Sequence, residues 1–237
     1  MPDASEELSD WLSGAPRPPT RPLVTVSYAQ SLDGSIAAPG GGTLRLSGPQ
    51  SRRMTHVLRS LHDSIMVGIG TVLADDPQLT VREVEGENPR PFIVDTHLRT
   101  PVSARVLSSG KPPVIAAAES ADASAQVALE EVGAEVVRVP ASPDGWLQLT
   151  SLLSRLESLG VTRLMVEGGA RLVTSFLNAR LVDRVVITVC PCLVGGLKAV
   201  GIIDLTQFGH YPRLVNPHSA CFGEDIVIWG GVESASR

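Results

Sequence analysis

The stretch 65-IMVGIGTVLADDPQLTVR-82 joins three apolar residues to a segment rich in glycine, acidic and hydroxyl side chains. Its two glycines permit a positive φ or the close approach of a ligand to the backbone. Thr71 and the two aspartates supply hydrogen-bonding groups, and Arg82 could hold a phosphate through two parallel hydrogen bonds. The pattern favours a strand that ends in a loop around a small polar ligand. The alternative is a helix-capping turn followed by an edge strand over residues 79–81.

Around this stretch, short β-branched runs alternate with longer segments of helical period. The predicted strands are residues 23–28, 64–67, 91–94, 114–117, 135–139, 163–166, 184–189 and 226–229. The first predicted helix begins after Ser47, has Pro49 in its first turn and carries an apolar stripe of Met54, Val57, Leu58 and Leu61. Three later helices are predicted over residues 123–132, 149–159 and 170–179. The order is typical of an α/β sheet, and the last fifty residues look like an antiparallel finish to it.

A second chemical motif, LMVEGGAR at 164–171, has an apolar strand that ends in Glu167, followed by two glycines and a helix. The free amides and the positive dipole end of such a helix make a natural phosphate site, where a dinucleotide pyrophosphate would lie. The motif is not the Rossmann fingerprint, because G-x-G-x-x-G is absent. Tight packing explains a lone strand-Gly-Gly-helix turn about as often as ligand binding does.

Two further segments place polar groups after strands. Asp33-Gly34 is typical of turn chemistry, and we do not expect Asp33 to be catalytic. Residues 94–99, VDTHLR, follow a strand at the carboxyl edge of the sheet, the usual ligand side of α/β folds. The side chain of Arg99 could bind a cofactor phosphate or could simply be exposed to solvent.

Composition limits the class of protein. The 237 residues carry a net charge of −5, which does not favour nucleic acid, and 18 of the 20 cationic residues are arginine. The odd set Cys190, Cys192 and Cys221 favours buried thiols in a reducing compartment over a metal site or a disulfide. No span of about 18 apolar residues is present, and we expect a cytoplasmic protein that does not enter a membrane. Residues 1–21, acidic and then proline-rich, are expected to form a flexible tail ahead of a single domain, 22–237.

In combination the motifs are specific. They are YAQSLDG at 28–34, SGPQSRRMTHVLRSLHD at 47–63, GIGTVLADDPQLTVR at 68–82, IVDTHLRTP at 93–101 and LMVEGGARLVTSFLNARLVDRVVITVCPCLVGG at 164–196. Together they resemble the pyrimidine reductase family of riboflavin biosynthesis, the family of the C-terminal domain of bacterial RibD and of stand-alone archaeal and fungal reductases. The resemblance covers roughly residues 22 to 231.

The resemblance implies a dihydrofolate-reductase-like fold, with a mixed sheet flanked by helices, and a homodimer. It also implies NADPH-dependent reduction of a ribosylaminopyrimidine 5′-phosphate to its ribitylamino form. By the same resemblance, NADPH contacts fall on Ala29, Arg45, Thr71, Asp75, Thr96, Gly168, Gly169, Ala170, Arg171, Leu172, Val173, Thr174 and Ser175. Substrate contacts fall on Thr43, Arg59, Leu79, Arg82 and Glu167, with Arg59 and Arg82 as a phosphate grip.

Hydride chemistry belongs to the cofactor, so the protein would supply proximity, electrostatics and exclusion of water. Glu167 is the candidate for assisting the opening of the ribosylamine ring. Bacterial relatives often carry a lysine two residues before the position of Ala29; Ser27 stands there in this chain, so a proton-transfer role for that lysine cannot be carried over.

The zinc deaminase that accompanies the bacterial reductase requires His-x-Glu and Pro-Cys-x-x-Cys motifs, and this sequence has neither. The substrate could therefore be the deaminated or the undeaminated pyrimidine. Two other hypotheses stay open: a paralogue that reduces a pterin-like or dihydrofolate-like substrate, and, more remotely, a binding module without catalysis.

Overall fold

A computed structural model describes residues 4–40, 42, 44–205 and 210–233. Its strands are β1 (Leu23–Ser31), β2 (Ser35–Ala37), β3 (Ser64–Gly68), β4 (Arg90–Val94), β5 (Val114–Ala118), β6 (Glu135–Val139), β7 (Arg163–Val166), β8 (Arg184–Cys190), β9 (Leu197–Lys198), β10 (Leu214–Phe222) and β11 (Asp225–Val232). Its α-helices are α1 (Ala4–Ser13), α2 (Pro49–Ser60), α3 (Ile69–Asp75), α4 (Ala123–Glu131), α5 (Leu149–Ser158) and α6 (Ala170–Asn178), and a 3-10 helix spans Arg105–Ser108.

Within these ranges, nine strands form one mixed sheet in the order β10-β11-β8-β1-β7-β3-β4-β5-β6. The strands from β8 to β6 run parallel to their neighbours. Strand β11 is antiparallel to β8, and β10 is antiparallel to β11. The expected α/β sheet flanked by helices, with an antiparallel finish, is therefore confirmed.

Alternate residues of the central strands pack against opposite faces of the sheet. Leu164 and Val166 of β7 join a core with α5 and α6, whereas Met165 between them joins a core with α1 and α2. Helices α3 and α4 cover the outer part of that second face. Because both faces are covered, a ligand can reach the parallel strands only at their ends.

The eight predicted strands are all present, and the helices predicted over 123–132, 149–159 and 170–179 agree with α4, α5 and α6 to within one residue at either end. The helix predicted to begin after Ser47 is α2, which begins at Pro49. The edge strand considered for residues 79–81 is wrong. Residues 69–75 form helix α3, and residues 76–82 follow it without regular structure. Leu79 adopts φ 56° with its side chain buried, a conformation that a strand residue does not take.

Part of the segment expected to be a flexible tail, residues 4–13, forms helix α1, whereas residues 14–21 contain neither helix nor strand. Leu8 and Leu12, one helical turn apart, are each 1% exposed and pack against α2 and β11. Arg163 donates to the carbonyls of Leu12 and Ser13 at 2.9 and 2.7 Å, which satisfies the end of the helix. The acidic and proline-rich composition hid this short apolar stripe.

No helix among the described residues is both long enough and apolar enough to cross a membrane.

Candidate active site

A cavity of about 870 Å³ lies at the carboxyl ends of the parallel strands β1, β7, β3 and β4. Its wall includes Tyr28 of β1, Glu167 after β7, Gly68 at the end of β3 and Thr96 after β4. A cavity of this size is at the upper end of ordinary small-molecule sites.

The structure brings most of the predicted cofactor contacts to this cavity. The predicted residues that line it are Ala29, Thr71, Asp75, Thr96, Glu167, Gly168, Gly169, Ala170, Arg171, Leu172, Val173 and Ser175. Thr174 points elsewhere: its hydroxyl donates to the Ala170 carbonyl at 2.6 Å and accepts from the Gly201 amide at 2.8 Å.

The remaining predicted contacts lie apart from the wall of the cavity or outside the described residues. Arg45 is exposed and is not part of the wall. Arg59, Leu79 and Arg82 lie beyond it, on the side of Glu167. Thr43 lies outside the described residues.

The turn after β7 has a backbone that only glycine adopts readily. Gly168 and Gly169 have φ of 119° and 66°, and a Cβ on Gly169 would meet Thr71 Oγ1 at 3.3 Å. The Glu167 amide donates to the Met66 carbonyl at 3.0 Å, which ties the turn to β3. Among the described residues, no side chain caps the start of α6, and the residues of its first turn line the cavity. These features fit a phosphate group.

The loop after β4 adds a second polar wall. Asp95 is fully buried, and its Oδ2 accepts from the amide and the hydroxyl of Thr100 at 2.7 and 2.8 Å. Its Oδ1 has no hydrogen-bond donor among the described residues, and Arg99 Nε lies 4.0 Å from it. Arg99 itself is mostly exposed on the cavity wall, where its guanidinium can meet a ligand anion.

An arginine of helix α2 binds the carboxylate of Glu167. Arg59, near the end of α2, donates through Nε and Nη2 to the two carboxylate oxygens, each at 2.6 Å. The two side chains are only 11% and 12% exposed. Arg59 Nη1 also donates to the Thr80 carbonyl at 2.8 Å, so the loop after α3 fixes the arginine in place.

Arg82 lies on the same side with a freer guanidinium. Its side chain is exposed and donates to Thr80 Oγ1 at 2.7 Å, while its backbone amide donates to Nδ1 of buried His56 at 3.1 Å. Burial and the charges of Arg59 and Arg82 lower the pKa of His56 below its ordinary value. A neutral ring is what the hydrogen bond from Arg82 requires, because Nδ1 acts as its acceptor.

Asp33 acts as a turn residue, as its Asp-Gly sequence predicts. Its carboxylate accepts from Ser31, Ser35 and Lys198 side chains at 2.6–2.7 Å and from the amides of Val194 and Gly195. The Lys198 ammonium and these other donors hold the pKa of Asp33 far below its usual range. The carboxylate ties the β1–β2 turn to the loop before β9.

Sequence reasoning missed three residues of this region: Tyr28, His56 and Trp146. Burial raises the pKa of Tyr28 on the cavity wall to about 12, so its hydroxyl stays protonated. His56 has no signal in the sequence, since it lies on the side of α2 away from Met54 and Leu58 and is nevertheless buried. Trp146 follows an Asp-Gly pair, and that turn signal could have placed it on a loop.

Comparison with known proteins gives one consistent result. Residues 22–228 match the model of the family described as the RibD C-terminal domain. The chain is 40% identical over 214 residues to the 2,5-diamino-6-ribosylamino-4(3H)-pyrimidinone 5′-phosphate reductase of Methanothermobacter thermautotrophicus, with 88% of this chain and 97% of that protein covered. It is 39% identical to the reductase of the same name from Debaryomyces hansenii, with 93% and 90% covered.

Among solved structures, the riboflavin biosynthesis reductase Rib7 of Saccharomyces cerevisiae superposes with a TM-score of 0.77 at 26% identity. The superposition covers 98% of this chain and all of that one. The mixed sheet and its flanking helices therefore have a solved counterpart over essentially the whole chain.

Proposed function

This chain belongs to the RibD C-terminal domain family, and from that premise we propose that it is an NADPH-dependent reductase of riboflavin biosynthesis. Its substrate in this proposal is 2,5-diamino-6-ribosylamino-4(3H)-pyrimidinone 5′-phosphate, whose ribosylamino group is reduced to a ribitylamino group. The relatives aligned over nearly their whole length carry the name of a reductase of this undeaminated pyrimidine, and this favours it over the deaminated form.

The observation that carries the proposal is the position of Glu167. It stands between the Gly168–Gly169 turn, which fits a phosphate, and the Arg59 guanidinium, which fixes both of its oxygens. The carboxylate of Glu167 thus lies between a turn that fits a cofactor phosphate and a region of positive charge. This arrangement suits a reductase, which must bring its cofactor and its substrate together at the reacting atoms.

NADPH fits the chemistry of the cavity wall. The uncapped start of α6 and the two glycines before it would hold the pyrophosphate, and Thr96 and Arg99 would hold the 2′-phosphate. When bound, NADPH would supply the hydride that reduces C1′ of the sugar. Ala29, Thr71 and Asp75 complete the proposed contacts along the same wall.

Glu167 would move the proton on the substrate nitrogen. Opening of the ribosylamine breaks the bond from C1′ to the ring oxygen, which takes a proton from solvent, and forms a C1′=N bond as the nitrogen loses its proton. Each carboxylate oxygen of Glu167 accepts one hydrogen bond from Arg59 and keeps a second lone pair, so the carboxylate can take that N–H proton as a general base. After reduction at C1′, the same carboxyl returns the proton to the nitrogen.

The two arginines would then have different roles. Arg59 is engaged with Glu167 and Thr80, so it would position the catalytic carboxylate and contact the substrate beside it. Arg82, with its exposed guanidinium, would hold the 5′-phosphate. Leu79 lies between the two arginines in the sequence; its side chain is buried and its φ is 56°. It would shape the loop that carries these contacts.

A homodimer in the cytoplasm completes the proposal. Large apolar side chains are exposed over residues 193–205 and at Tyr211, among them Leu193 and Ile202. The three cysteines are free; Cys190 is buried as expected, whereas the expected burial is wrong for Cys192 and Cys221, which are exposed. Light scattering on the purified protein should give twice the 25.0 kDa mass of one chain. The mass of a single chain at micromolar concentration would remove the dimer from the proposal.

The test of the activity is NADPH oxidation with three substrates in parallel: the 2,5-diamino pyrimidine phosphate, its deaminated form and dihydrofolate. We expect turnover with the first, weaker turnover with the second and none with the third. Turnover of dihydrofolate alone would replace the proposal with that of a paralogue. Absence of turnover with all three, in protein shown to bind NADPH, would leave a binding module.

A further inference from the structure

Trp146 is a large aromatic side chain left open on the cavity wall. Its side chain is 43% exposed, whereas the next residue, Leu147, is 5% exposed and belongs to the core. Both line the cavity. Exposure of an indole on the wall of a cavity leaves an apolar, flat surface available to a ligand.

The loop that carries Trp146 is built as a tight hairpin. Ala141 and Leu147 form an isolated antiparallel bridge, and the Ser142 amide donates to the Trp146 carbonyl at 2.7 Å. The turn closes through Gly145 at φ 84°, whose amide donates to the Ser142 carbonyl at 2.9 Å. The indole is therefore presented by a backbone with its own hydrogen bonds rather than by a long unsupported loop.

The indole is also fixed to the phosphate-binding turn. The guanidinium of Arg171, in the first turn of α6, lies 4.2 Å from the ring centroid of Trp146. This cation–π contact joins the hairpin before α5 to the helix that begins at the Gly168–Gly169 turn. Both side chains line the cavity.

The order of the strands decides which part of a dinucleotide would reach that wall. Neighbouring strands are about 4.8 Å apart, so the loop after β4 lies roughly 10 Å from the turn after β7. The nicotinamide must lie toward β1 and Glu167, where the substrate is held. The pyrophosphate at the turn then directs the adenosine half toward β4, where Thr96 and Arg99 would bind the 2′-phosphate. Trp146, on the hairpin after β6, lies against Arg171 and lines the same cavity as Thr96 and Arg99.

We infer that Trp146, backed by Arg171, is the stacking surface for the adenine of the cofactor. The inference rests on the proposed NADPH site and adds the residue that recognises the base. Adenine stacks on an aromatic face through dispersion and the overlap of flat apolar surfaces, and an indole offers the largest such face among side chains. The open part of the indole meets the base, and the Arg171 guanidinium holds the ring in place.

The test is calorimetric binding of three probes to the intact chain: NADPH, adenosine 2′,5′-bisphosphate and reduced nicotinamide mononucleotide. Trp146→Ala should weaken the first two by about tenfold or more, the usual scale of base stacking. It should leave the nicotinamide fragment unchanged. Trp146→Phe, which keeps an aromatic face, should stay within about threefold of the parent, and Trp11→Phe on helix α1 is the matched control.

Tryptophan fluorescence gives a second readout. Adenosine 2′,5′-bisphosphate does not absorb tryptophan emission, so a change in emission on its addition reports contact; this change should persist in Trp11→Phe and vanish in Trp146→Phe. Unchanged affinity of folded Trp146→Ala for the bisphosphate would overturn the inference while the NADPH site stands. Failure of the parent chain to bind NADPH or the bisphosphate would overturn the proposed function itself.

Discussion

Two regions meet at Glu167, and they are built on different principles. The proposed cofactor end, around Gly168 and Gly169, depends on the backbone: positive φ angles, a helix start without a side-chain cap and space that a Cβ would close. The proposed substrate end, around Arg59, Glu167 and Arg82, depends on charged side chains: Arg59 binds Glu167, and Arg82 binds Thr80. A substrate phosphate would replace the contact of Arg82 with Thr80, whereas the backbone of the Gly168–Gly169 turn already has the conformation proposed for the bound state.

The largest effect is expected at the substrate end, from Glu167→Gln. The amide keeps the size of the side chain but cannot take the N–H proton, so kcat should fall by about 10²–10⁴. NADPH affinity should stay within a few-fold of the parent, because the turn that holds the cofactor keeps its backbone. Glu157→Gln, which removes an exposed partner of Arg17, is the control. A kcat within threefold of the parent would show that Glu167 is not the proton acceptor.

The next effect is at the cofactor end, from Gly169→Val. The new side chain would meet Thr71 Oγ1 and must adopt a φ that β-branched residues avoid, so the turn must shift and NADPH affinity should drop about a hundredfold. Gly133→Val is the matched control, since Gly133 has φ 92° in the turn after α4, with nothing within 4 Å of its Cβ position. Equal affinity of folded Gly169→Val and the parent would contradict the placement of the pyrophosphate.

Arg82→Ala tests whether the guanidinium of Arg82, at the substrate end, binds the 5′-phosphate. Loss of a charged hydrogen bond of about 1.5–3 kcal/mol should lower kcat/KM roughly tenfold to a hundredfold for the phosphorylated substrate. Turnover of the dephosphorylated substrate should hardly change. Arg53→Ala, which removes an exposed arginine of α2 bonded to the Glu83 carbonyl, should leave both unchanged. An equal loss for the two substrates in Arg82→Ala would remove the arginine from the phosphate site.

Arg99→Ala sharpens the comparison by removing the charged group proposed to bind the 2′-phosphate at the cofactor end. The ratio of kcat/KM for NADPH to that for NADH should fall about tenfold, through loss of NADPH affinity alone. Rates with NADH serve as the internal control, because that cofactor has no 2′-phosphate. A ratio that Arg99→Ala leaves intact would place the 2′-phosphate elsewhere.

The smallest effect concerns pH and belongs to the substrate end. His56 has a lowered pKa in the folded protein, so as pH falls below about 6.5 the unfolded chain binds a proton before the folded one does, and folding stability declines. His56→Asn, whose amide oxygen can still accept from the Arg82 amide, should show a smaller decline between pH 7.5 and 5.5. The measurement is urea unfolding at both pH values; identical declines in parent and variant would assign the acid sensitivity to other groups.

The difference between the two ends also explains what the sequence could predict. The eight predicted strands, four of the helices and the Glu-Gly-Gly turn are local patterns of apolar spacing and glycine that the sequence shows, whereas helix α3 and the short strands β2 and β9 were not predicted. The pairing of Arg59 with Glu167 spans 108 residues and depends on the sheet order, which local patterns do not contain. Helix α1 was missed because its two buried leucines form a stripe too short to stand out from an acidic, proline-rich segment. Trp146 was missed because an aromatic residue in a turn has no periodicity.

The most direct test of the account is the fate of a deuterium label. NADPH deuterated at the transferred position of C4 is incubated with the 2,5-diamino pyrimidine phosphate, and the product is analysed by mass spectrometry and proton NMR. If the cofactor and the substrate meet at Glu167, the product should carry one deuterium, on C1′ of its ribityl chain and with a single configuration. Deuterium in the pyrimidine ring, or NADPH oxidation without deuterium in the product, would contradict the account.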